Sequence, residues 1–441
     1  MLIRYMFDNF CSFKEECEFS LEAPGGKVKK RFPDNYTTTE TGYDLLKTAV
    51  IVGENAGGKS NFINGLKYLK SLFDTNMKVQ SVNSYINTDT LMECNNPKQK
   101  FNVVFLAGNH YIYEYETIVD TKGIYSEKLI RSSQRKSAEH VVFDILRDQE
   151  NIYTLRRGTA REVTAALKNS NNSNGLFVVK LALLGNKDAS ATVEWMLNVL
   201  YPGNIPSDNI DSIVRQERDL EIMKDLRYVE IFKMVDYSIC GIEVDDEKPY
   251  SKTLVIRKNA QGKQFKRELS QDSTGVREFF AWAVQIFRVV YENKVVFADE
   301  MDRVLNPILS DRVIAYINGM EHRGQFVFST HNVLHLNLKT YMKEQIYFIT
   351  KSKIAAFSVG IIGEVAITIL FFVKKSVFES AFQKVLLQCS LFQRLMNFIN
   401  GMFDLTTIVY YLSIIFLFLF FTVQVLSLIH ISEPTRPEPI S

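Results

Sequence analysis

Apolar positions follow two patterns along roughly the first 350 residues, and each pattern predicts one kind of element. Short apolar runs between turn residues predict β-strands at 2–7, 17–21, 49–52, 101–105, 110–118, 294–298 and 325–329. Apolar residues at helical spacing predict helices at 60–73, 276–291 and about 308–320, and mostly helical structure over 160–235. Turn-forming residues predict a loop at 24–45 and a hairpin of 252–257 with 263–268. This mixture of strands and helices predicts an α/β fold.

Composition narrows the class of protein. The chain has 441 residues, of which 46% are hydrophobic and 23% are charged, as in a globular protein of two or more domains. The net charge of +2 does not predict binding to nucleic acid or to an anionic membrane. A local basic patch is still compatible with this charge. The five cysteines are scattered and form no CxxC pair or Cys/His cluster, which predicts reduced, cytosolic thiols. Charged residues throughout positions 1–21 argue against a signal peptide.

The first candidate for chemistry is the loop Gly53–Ser60, which reads GENAGGKS and fits the pattern G-x-x-x-x-G-K-S. Glycines let consecutive backbone N–H groups face phosphates, and the helix that follows adds its positive N-terminal dipole. Lys59 would place a point charge at the β- and γ-phosphates, and the Ser60 hydroxyl would be a ligand of Mg²⁺. An apolar strand precedes the loop and an amphipathic helix follows it, so we expect a nucleotide-binding loop rather than a chance glycine-rich turn.

The second candidate is the acidic end of the strand at 294–298. Asp299 and Glu300 follow this apolar run directly. Phosphoryl transfer to water needs a metal ligand and a group that orients the attacking water. We therefore assign Asp299 to Mg²⁺ and Glu300 to the water; a solvated acidic turn is the alternative interpretation.

Two further segments are polar turns at the ends of predicted elements. His331, in the sequence STHN, follows the apolar strand at 325–329, where open α/β sheets bind ligands, and it could sense the γ-phosphate. Ser273 and Gly275 precede the helix at 276–291. From the residues alone, this second turn is either an anion site at a helix N-terminus or an ordinary N-cap, and the N-cap is favoured.

Together these motifs resemble the ABC-type ATPase heads of the SMC, RecF and OLD-like group, and in particular the small bacterial AAA-family ATPases linked to abortive phage infection. Residues 9–14 are similar to their N-F-x-S-F-K start, 53–61 to their G-x-N-x-G-K-S-N loop, and 299–307 to their D-E-x-D-x-x-L-H-P segment. The resemblance implies catalytic roles for Glu300 and His331, and metal ligation by Ser60 and Asp299. It implies nucleotide contacts from Gly53, Asn55, Gly57, Gly58, Lys59, Ser60, Asn61, Ser273, Gly275 and Asp302.

The resemblance also implies a fold, cofactors and partners. We expect a P-loop NTPase head with a mixed sheet, divided into an N-terminal lobe (1–140), a helical insert (141–250) and a C-terminal lobe (251–351). ATP and Mg²⁺ would be the cofactors, and two heads would sandwich ATP in a cytoplasmic homodimer acting in phage defence or a DNA transaction. Partners could include DNA or a separate nuclease or toxin effector. The rival functions are an ATP-gated effector with its own nuclease, a non-catalytic ATP-binding scaffold and a membrane transporter component.

The chain departs from the family pattern at three points. Cys11 stands where many relatives carry Arg, Asn306 stands where His is common, and the stretch between Lys59 and Asp299 contains no long coiled coil. A nucleotide contact from position 11 is therefore not expected.

Residues 352–441 differ in character from the rest. The runs 354–373 and 405–425 are long and apolar, and the second meets the length rule for a membrane helix, which gives a membrane-anchored ATPase as an alternative. However, residues 426–436 resemble the in-frame translation of a sequencing adapter, and the family resemblance stops near Lys351. We expect this tail to be a frame-shifted or chimeric join and not a membrane anchor. A continuous reading frame through 352–425 in unamplified DNA would contradict that expectation.

Overall fold

The computed structural model describes residues 1–55, 57–74, 79–80, 82, 98–150, 152–158, 161–168, 175–203, 217–301, 307–331 and 340–349. Its strands, in chain order, are β1 Leu2–Asp8, β2 Cys17–Ser20, β3 Tyr36–Thr38, β4 Asp44–Leu46, β5 Thr48–Val52, β6 Gln99–Leu106, β7 Ile112–Asp120, β8 Gly123–Ser132, β9 His140–Arg147, β10 Tyr153–Arg157, β11 Leu200–Gly203, β12 Ile239–Glu243, β13 Leu254–Lys258, β14 Gln264–Glu268, β15 Val295–Ala298, β16 Gln325–Thr330 and β17 Ile346–Phe348. Its α-helices are α1 Lys27–Arg31, α2 Lys59–Ser71, α3 Arg161–Lys168, α4 Phe177–Leu183, α5 Lys187–Glu194, α6 Glu217–Met223, α7 Leu226–Phe232, α8 Thr274–Glu292 and α9 Pro307–Gly319.

A parallel sheet carries the strands that end in the predicted motifs. Its order among the described strands is β11-β15-β16-β5-β17, and every neighbouring pair is parallel. Every residue of β5, β15 and β16 is buried, as is typical of parallel strands covered on both faces. Because parallel strands end at the same edge, the motifs after β5, β15 and β16 come together there.

The parallel sheet separates two hydrophobic cores. Ala49 and Ile51 on β5 face the core that contains α2, whereas Val50 and Val52 face the core that contains α8 and α9. This alternation follows from the two-residue period of a strand. The strand that leads into the glycine-rich loop is therefore packed on both faces.

The remaining described strands form antiparallel sheets. The largest has the order β10-β9-β8-β7-β6-β1-β2 and contributes aromatic residues to the first core, among them Tyr5, Phe7 and Phe101. β12-β13-β14 form a second sheet, and β3 pairs with β4. The α/β class predicted from the sequence is confirmed, with parallel and antiparallel strands in separate sheets.

The predicted elements agree with the structure at the strands and helices around the motifs. The predictions of mostly helical structure over 160–235 and of the hairpin at 252–268 are also confirmed for the described residues, although β11 was not predicted. The loop prediction for 24–45 was wrong, because this range contains α1, β3 and the start of β4. There the Thr39 hydroxyl bonds both the N–H and the carbonyl of Tyr43, at 3.1 and 2.9 Å, and closes a tight turn between the two strands.

Residues 1–350 form one compact unit. β10 and all of β9 except His140 lie inside the range assigned to the helical insert, yet both strands belong to the large antiparallel sheet. The three-part division of residues 1–351 stays a prediction.

The apolar runs 354–373 and 405–425 and the adapter-like segment 426–436 lie outside the described residues. Within the part of the chain that the structure describes, none of the helices combines the length and the apolar character that crossing a membrane requires.

Candidate nucleotide-binding site

The glycine-rich loop lies between β5 and α2, at the carboxyl edge of the parallel sheet. The Gly53 N–H donates to the Thr330 carbonyl oxygen at 3.3 Å, which ties the loop to the end of β16. Gly58 has a φ of 114°, in a region that favours glycine, and α2 begins at the next residue. The local sequence thus produces the strand–loop–helix arrangement that the motif predicts.

At two other positions in the loop, the backbone of Ile349 approaches so closely that a side chain larger than that of glycine would clash. A Cβ on Gly53 would lie less than 3.0 Å from the Ile349 carbonyl oxygen, and a Cβ on Gly57 would lie 3.2 Å from the same atom. Ile349 is held there because its N–H donates to the Val52 carbonyl oxygen at 2.8 Å. Ile349, the residue that follows β17, therefore lies directly against the loop.

Lys59 is the first residue of α2, and its side chain turns back into the loop. Its Nζ donates to the carbonyl oxygens of Gly53 and Glu54, at 2.8 and 3.0 Å, and the residue is only 8% exposed. The loop thereby holds a positive charge at its centre, where phosphate oxygens would bind.

Ser60 and Asn61 follow in the first turn of α2, and both are half-buried. The Asn61 side-chain amide donates to the Ser12 hydroxyl oxygen at 3.0 Å. Ser12 belongs to the turn Asn9–Phe13, in which the backbones of Phe10 and Phe13 exchange hydrogen bonds of 3.0 Å. The N-terminal turn that resembles the family pattern therefore packs against the loop, a contact that sequence reasoning did not predict.

Asp299 and Glu300 follow β15 at the same edge of the sheet. Asp299 is 5% exposed, and its N–H donates to the Gly203 carbonyl oxygen at 3.2 Å. Glu300 is exposed and has a φ of 52°, in the left-handed region that non-glycine residues seldom adopt. The local backbone therefore buries one carboxylate and turns the next toward solvent.

Ser329, near the end of β16, connects the two acidic residues. Its hydroxyl donates to Asp299 Oδ1 at 2.5 Å and accepts the Glu300 N–H at 2.9 Å. No role was predicted for Ser329 itself, and its place in the polar STHN segment after an apolar strand was the available signal.

His331 is exposed and follows β16 directly. β16 lies between β5 and β15, with Thr330 paired to Val52 and Phe328 paired to Ala298. The structure thus brings the glycine-rich loop, the acidic pair and His331 to the ends of three neighbouring strands. Their individual roles stay predictions.

Ser273 and Gly275 lie elsewhere, at the start of α8. Ser273 occupies the N-cap position, yet within the described part of the chain its side chain makes no capping hydrogen bond. Both residues line a surface groove of about 420 Å³ together with Met234, Val235, Val276, Ile308, Leu309 and Arg312. The capping interpretation favoured from the residues alone is therefore not supported by the side-chain geometry.

Asp302, Asn306 and Asn332 lie outside the described residues, so the contact assigned to Asp302 stays a prediction.

The donors at the strand ends fit Mg²⁺. Asp299 supplies a buried carboxylate and Ser60 a hydroxyl, and hard oxygen ligands of this kind suit Mg²⁺, which is commonly held by one or two protein groups together with phosphates. Among the residues described, the structure has no cluster of three or more His, Cys, Asp or Glu side chains that could hold a metal by itself. Burial lowers the pKa of Lys67, on the same helix as Ser60, while the charge of Asp299 acts against that shift.

A glycine-rich loop between a buried parallel strand and a helix, separated by one strand from a strand that ends in an acidic pair, defines a P-loop nucleotide-binding domain of the ATPase type. The chain belongs to the family described as "AAA domain, putative AbiEii toxin, Type IV TA system", whose sequence model matches residues 49–337. The resemblance to AAA-family ATPases stated from the motifs is therefore confirmed. No curated protein matches the chain.

Several solved structures of SMC heads are similar to the chain. The SMC head domain from Thermotoga maritima is 14% identical, with 76% of this chain and 90% of that chain covered and a TM-score of 0.35. An SMC head bound to the C-terminal winged-helix domain of ScpA is 11% identical, with 78% and 95% covered and a TM-score of 0.41. An SMC head with an extended coiled coil, bound to the C-terminal domain of ScpA derived from Pyrococcus furiosus, is 12% identical, with 83% and 99% covered and a TM-score of 0.34.

Proposed function

We propose that the chain hydrolyses ATP. The observation that carries this proposal is the set of hydrogen bonds at the strand ends: β16 bonds the glycine-rich loop through the Thr330 carbonyl and bonds Asp299 and Glu300 through the Ser329 hydroxyl. Phosphoryl transfer to water needs phosphate binding and an oriented nucleophile at adjacent places. Binding without hydrolysis, as in a scaffold, would not require an acidic pair held in this way.

The residues divide the chemistry between them. Lys59 and the backbone N–H groups at the start of α2 bind the phosphates. Ser60 and Asp299 would hold Mg²⁺, which when bound neutralises charge on the phosphate oxygens. Glu300 orients the attacking water and accepts its proton, and His331 contacts the γ-phosphate from the end of β16. The exposed position of Glu300 leaves its carboxylate accessible to water.

Two heads are expected to bind ATP between them. The side chain of Ser273 does not cap α8 in the part of the molecule described here, and it faces a groove whose wall includes Ile308, which is 67% exposed. Tyr237, stacked with Arg312 of the same groove, is 72% exposed. Large exposed apolar side chains around a helix N-terminus suit a protein interface that includes an anionic ligand. A second copy carrying ATP on its own glycine-rich loop meets both requirements.

The family supports one biological setting over others. Its description names a toxin and a toxin–antitoxin system, which supports a role in phage defence in which ATP turnover controls an effector. A separate nuclease or toxin is the partner we favour, and a DNA transaction is the second setting.

The test is phosphate release by the purified full-length chain. We expect release with ATP and Mg²⁺, loss of release when the metal is chelated, and a mass in solution that doubles when ATP is added to a hydrolysis-deficient variant. ATP binding with no phosphate release under any condition would contradict hydrolysis and leave the scaffold function. Release without any change in mass would contradict the dimer.

A further inference from the structure

Ser329 lies at the junction of the two halves of the site. It is fully buried on β16, and its register partner on β5 is Ile51, two residues before the glycine-rich loop. The residue that follows, Thr330, accepts the Gly53 N–H. Any displacement of Ser329 would therefore act on the phosphate-binding loop and on the acidic pair together.

The hydroxyl of Ser329 donates one hydrogen bond and accepts another. It has a single proton, and the 2.5 Å distance to Asp299 Oδ1 is at the short end for a hydroxyl that donates to a charged carboxylate. The proton is therefore committed to Asp299, and a lone pair accepts the Glu300 N–H at 2.9 Å. One atom thus fixes the rotation of a carboxylate and the orientation of the next peptide group.

The backbone of Glu300 needs such support. Its φ of 52° places a long, exposed side chain in the left-handed region. Conformations of this kind are strained and persist only where surrounding contacts hold them. The hydrogen bond from the Glu300 N–H to Ser329 is a contact that holds this turn directly.

We propose that Ser329 is a positioning residue for Mg²⁺ and for the attacking water. By holding Asp299 Oδ1 it directs the carboxylate toward the metal, and by holding the Glu300 N–H it directs the next carboxylate toward the water. Only the second part of this inference, the positioning of the attacking water, rests on the proposed function. The first part, metal binding, can be measured without hydrolysis.

The experiment compares Ser329→Ala, Ser329→Cys and the control Ser310→Ala in the full chain. Cys nearly keeps the shape of Ser but is a weak donor, so it separates the hydrogen bonds from a packing defect. Ser310 is a buried serine of α9 that has no assigned role in the site, so its replacement measures the general cost of losing a buried hydroxyl. The readouts are the affinity for a fluorescent ATP analogue in chelator, the apparent affinity for Mg²⁺ in the presence of that analogue, the thermal midpoint, and phosphate release.

We expect both Ser329 variants to bind the analogue in chelator within about two-fold of wild type. Their apparent Mg²⁺ affinity should fall roughly 10-fold or more, the size expected when a hydrogen bond to a charged group is lost. Phosphate release at saturating Mg²⁺ should fall by a similar factor, and Ser310→Ala should match wild type in both. A Mg²⁺ affinity within two-fold of wild type in either Ser329 variant would overturn the inference. If wild type releases no phosphate, the proposed hydrolysis fails, while the Mg²⁺ titration still decides the role of Ser329.

Discussion

Lys59 Nζ donates a hydrogen bond to the carbonyl oxygen of Gly53, at 2.8 Å, so the first residue of α2 bonds the first residue of the glycine-rich loop. The bond closes the loop on itself and buries the charge, since Lys59 is only 8% exposed. The same side chain therefore shapes the loop and supplies its charge.

Replacing Lys59 with Ala should remove both functions, and we expect ATP affinity to fall by at least roughly 100-fold, the loss expected for a charge-assisted contact with phosphate. Calorimetric titration with ATP measures it. Lys122→Ala, an exposed lysine in the turn between β7 and β8, should bind ATP like wild type. Equal affinity in the two variants would exclude Lys59 from phosphate binding.

Glu300→Gln should bind ATP and fail to hydrolyse it. Asp299 and the Ser329 bond to the backbone of residue 300 remain, whereas the carboxylate that accepts a proton from water is lost. We expect phosphate release to fall roughly 100-fold or more and ATP-dependent dimers to accumulate on size-exclusion chromatography. Turnover at the wild-type rate would show that Glu300 is not the base.

Ser273→Arg should block hydrolysis and leave ATP binding intact, because Ser273 lines a groove away from the glycine-rich loop of its own chain. Mixing it with Lys59→Ala tests whether the site is shared between two copies. In a mixed dimer, one of the two composite sites combines an intact loop with an intact Ser273, so part of the activity should return. No recovery in the mixture would argue against a shared site.

Gly53→Ala should destabilise the domain, because the new Cβ would lie less than 3.0 Å from the Ile349 carbonyl oxygen, a backbone atom that cannot rotate away. Overpacking of this kind costs about 1–3 kcal/mol. Gly319→Ala is the matched control, since no described atom lies within 4 Å of its Cβ position. Urea unfolding of both variants measures the difference, and equal midpoints would show that Ile349 does not cover the loop.

Glu127 should make stability depend on pH. Burial between the large sheet and α4 raises the pKa of this carboxyl from 4.5 to about 7, although the Phe177 and Val178 N–H groups and the Tyr115 hydroxyl donate to it and act against the shift. The folded protein therefore retains a proton that the unfolded chain releases above pH 4.5. Stability should fall as the pH rises from about 4.5 to about 7, by roughly 3 kcal/mol.

The check is urea unfolding at pH 5 and pH 7.5 for wild type and for Glu127→Gln, which cannot ionise. The variant should lose much of the pH dependence. An unchanged slope would assign the dependence to other groups.

The loop and the acidic pair could be predicted from the sequence because each consists of residues that are adjacent along the chain. Gly58 and Lys59 stand next to each other, and a mostly apolar strand precedes each motif. The contacts of Ser12 with Asn61 and of Ile349 with Gly53 could not be predicted, because they join residues 49 and 296 positions apart. The order of strands in the sheet, in which β16 lies between β5 and β15, also cannot be predicted from one sequence.

The strand β8 was also not predicted from the sequence, for a different reason. β8 carries Glu127 at an inward position, where the alternation of a half-buried strand would normally show an apolar residue. Backbone N–H groups of α4 donate to the buried Glu127 carboxylate, so the charge has hydrogen-bond partners inside the fold. In the sequence, however, this charged residue interrupts the alternation of apolar and polar positions that predicts a strand.

The place of β5 between β16 and β17 has a consequence for biosynthesis. The strand ends at Val52, yet both of its partners lie beyond residue 324, and β17 ends only at Phe348. At 5–20 residues per second, a ribosome needs roughly 15–60 s to make the intervening stretch of about 300 residues. During that interval the five residues of β5 have no partner strand, and the nucleotide site has not yet formed. A nascent chain with such an unpaired strand is prone to aggregation, and ATP can stabilise the fold only after that delay.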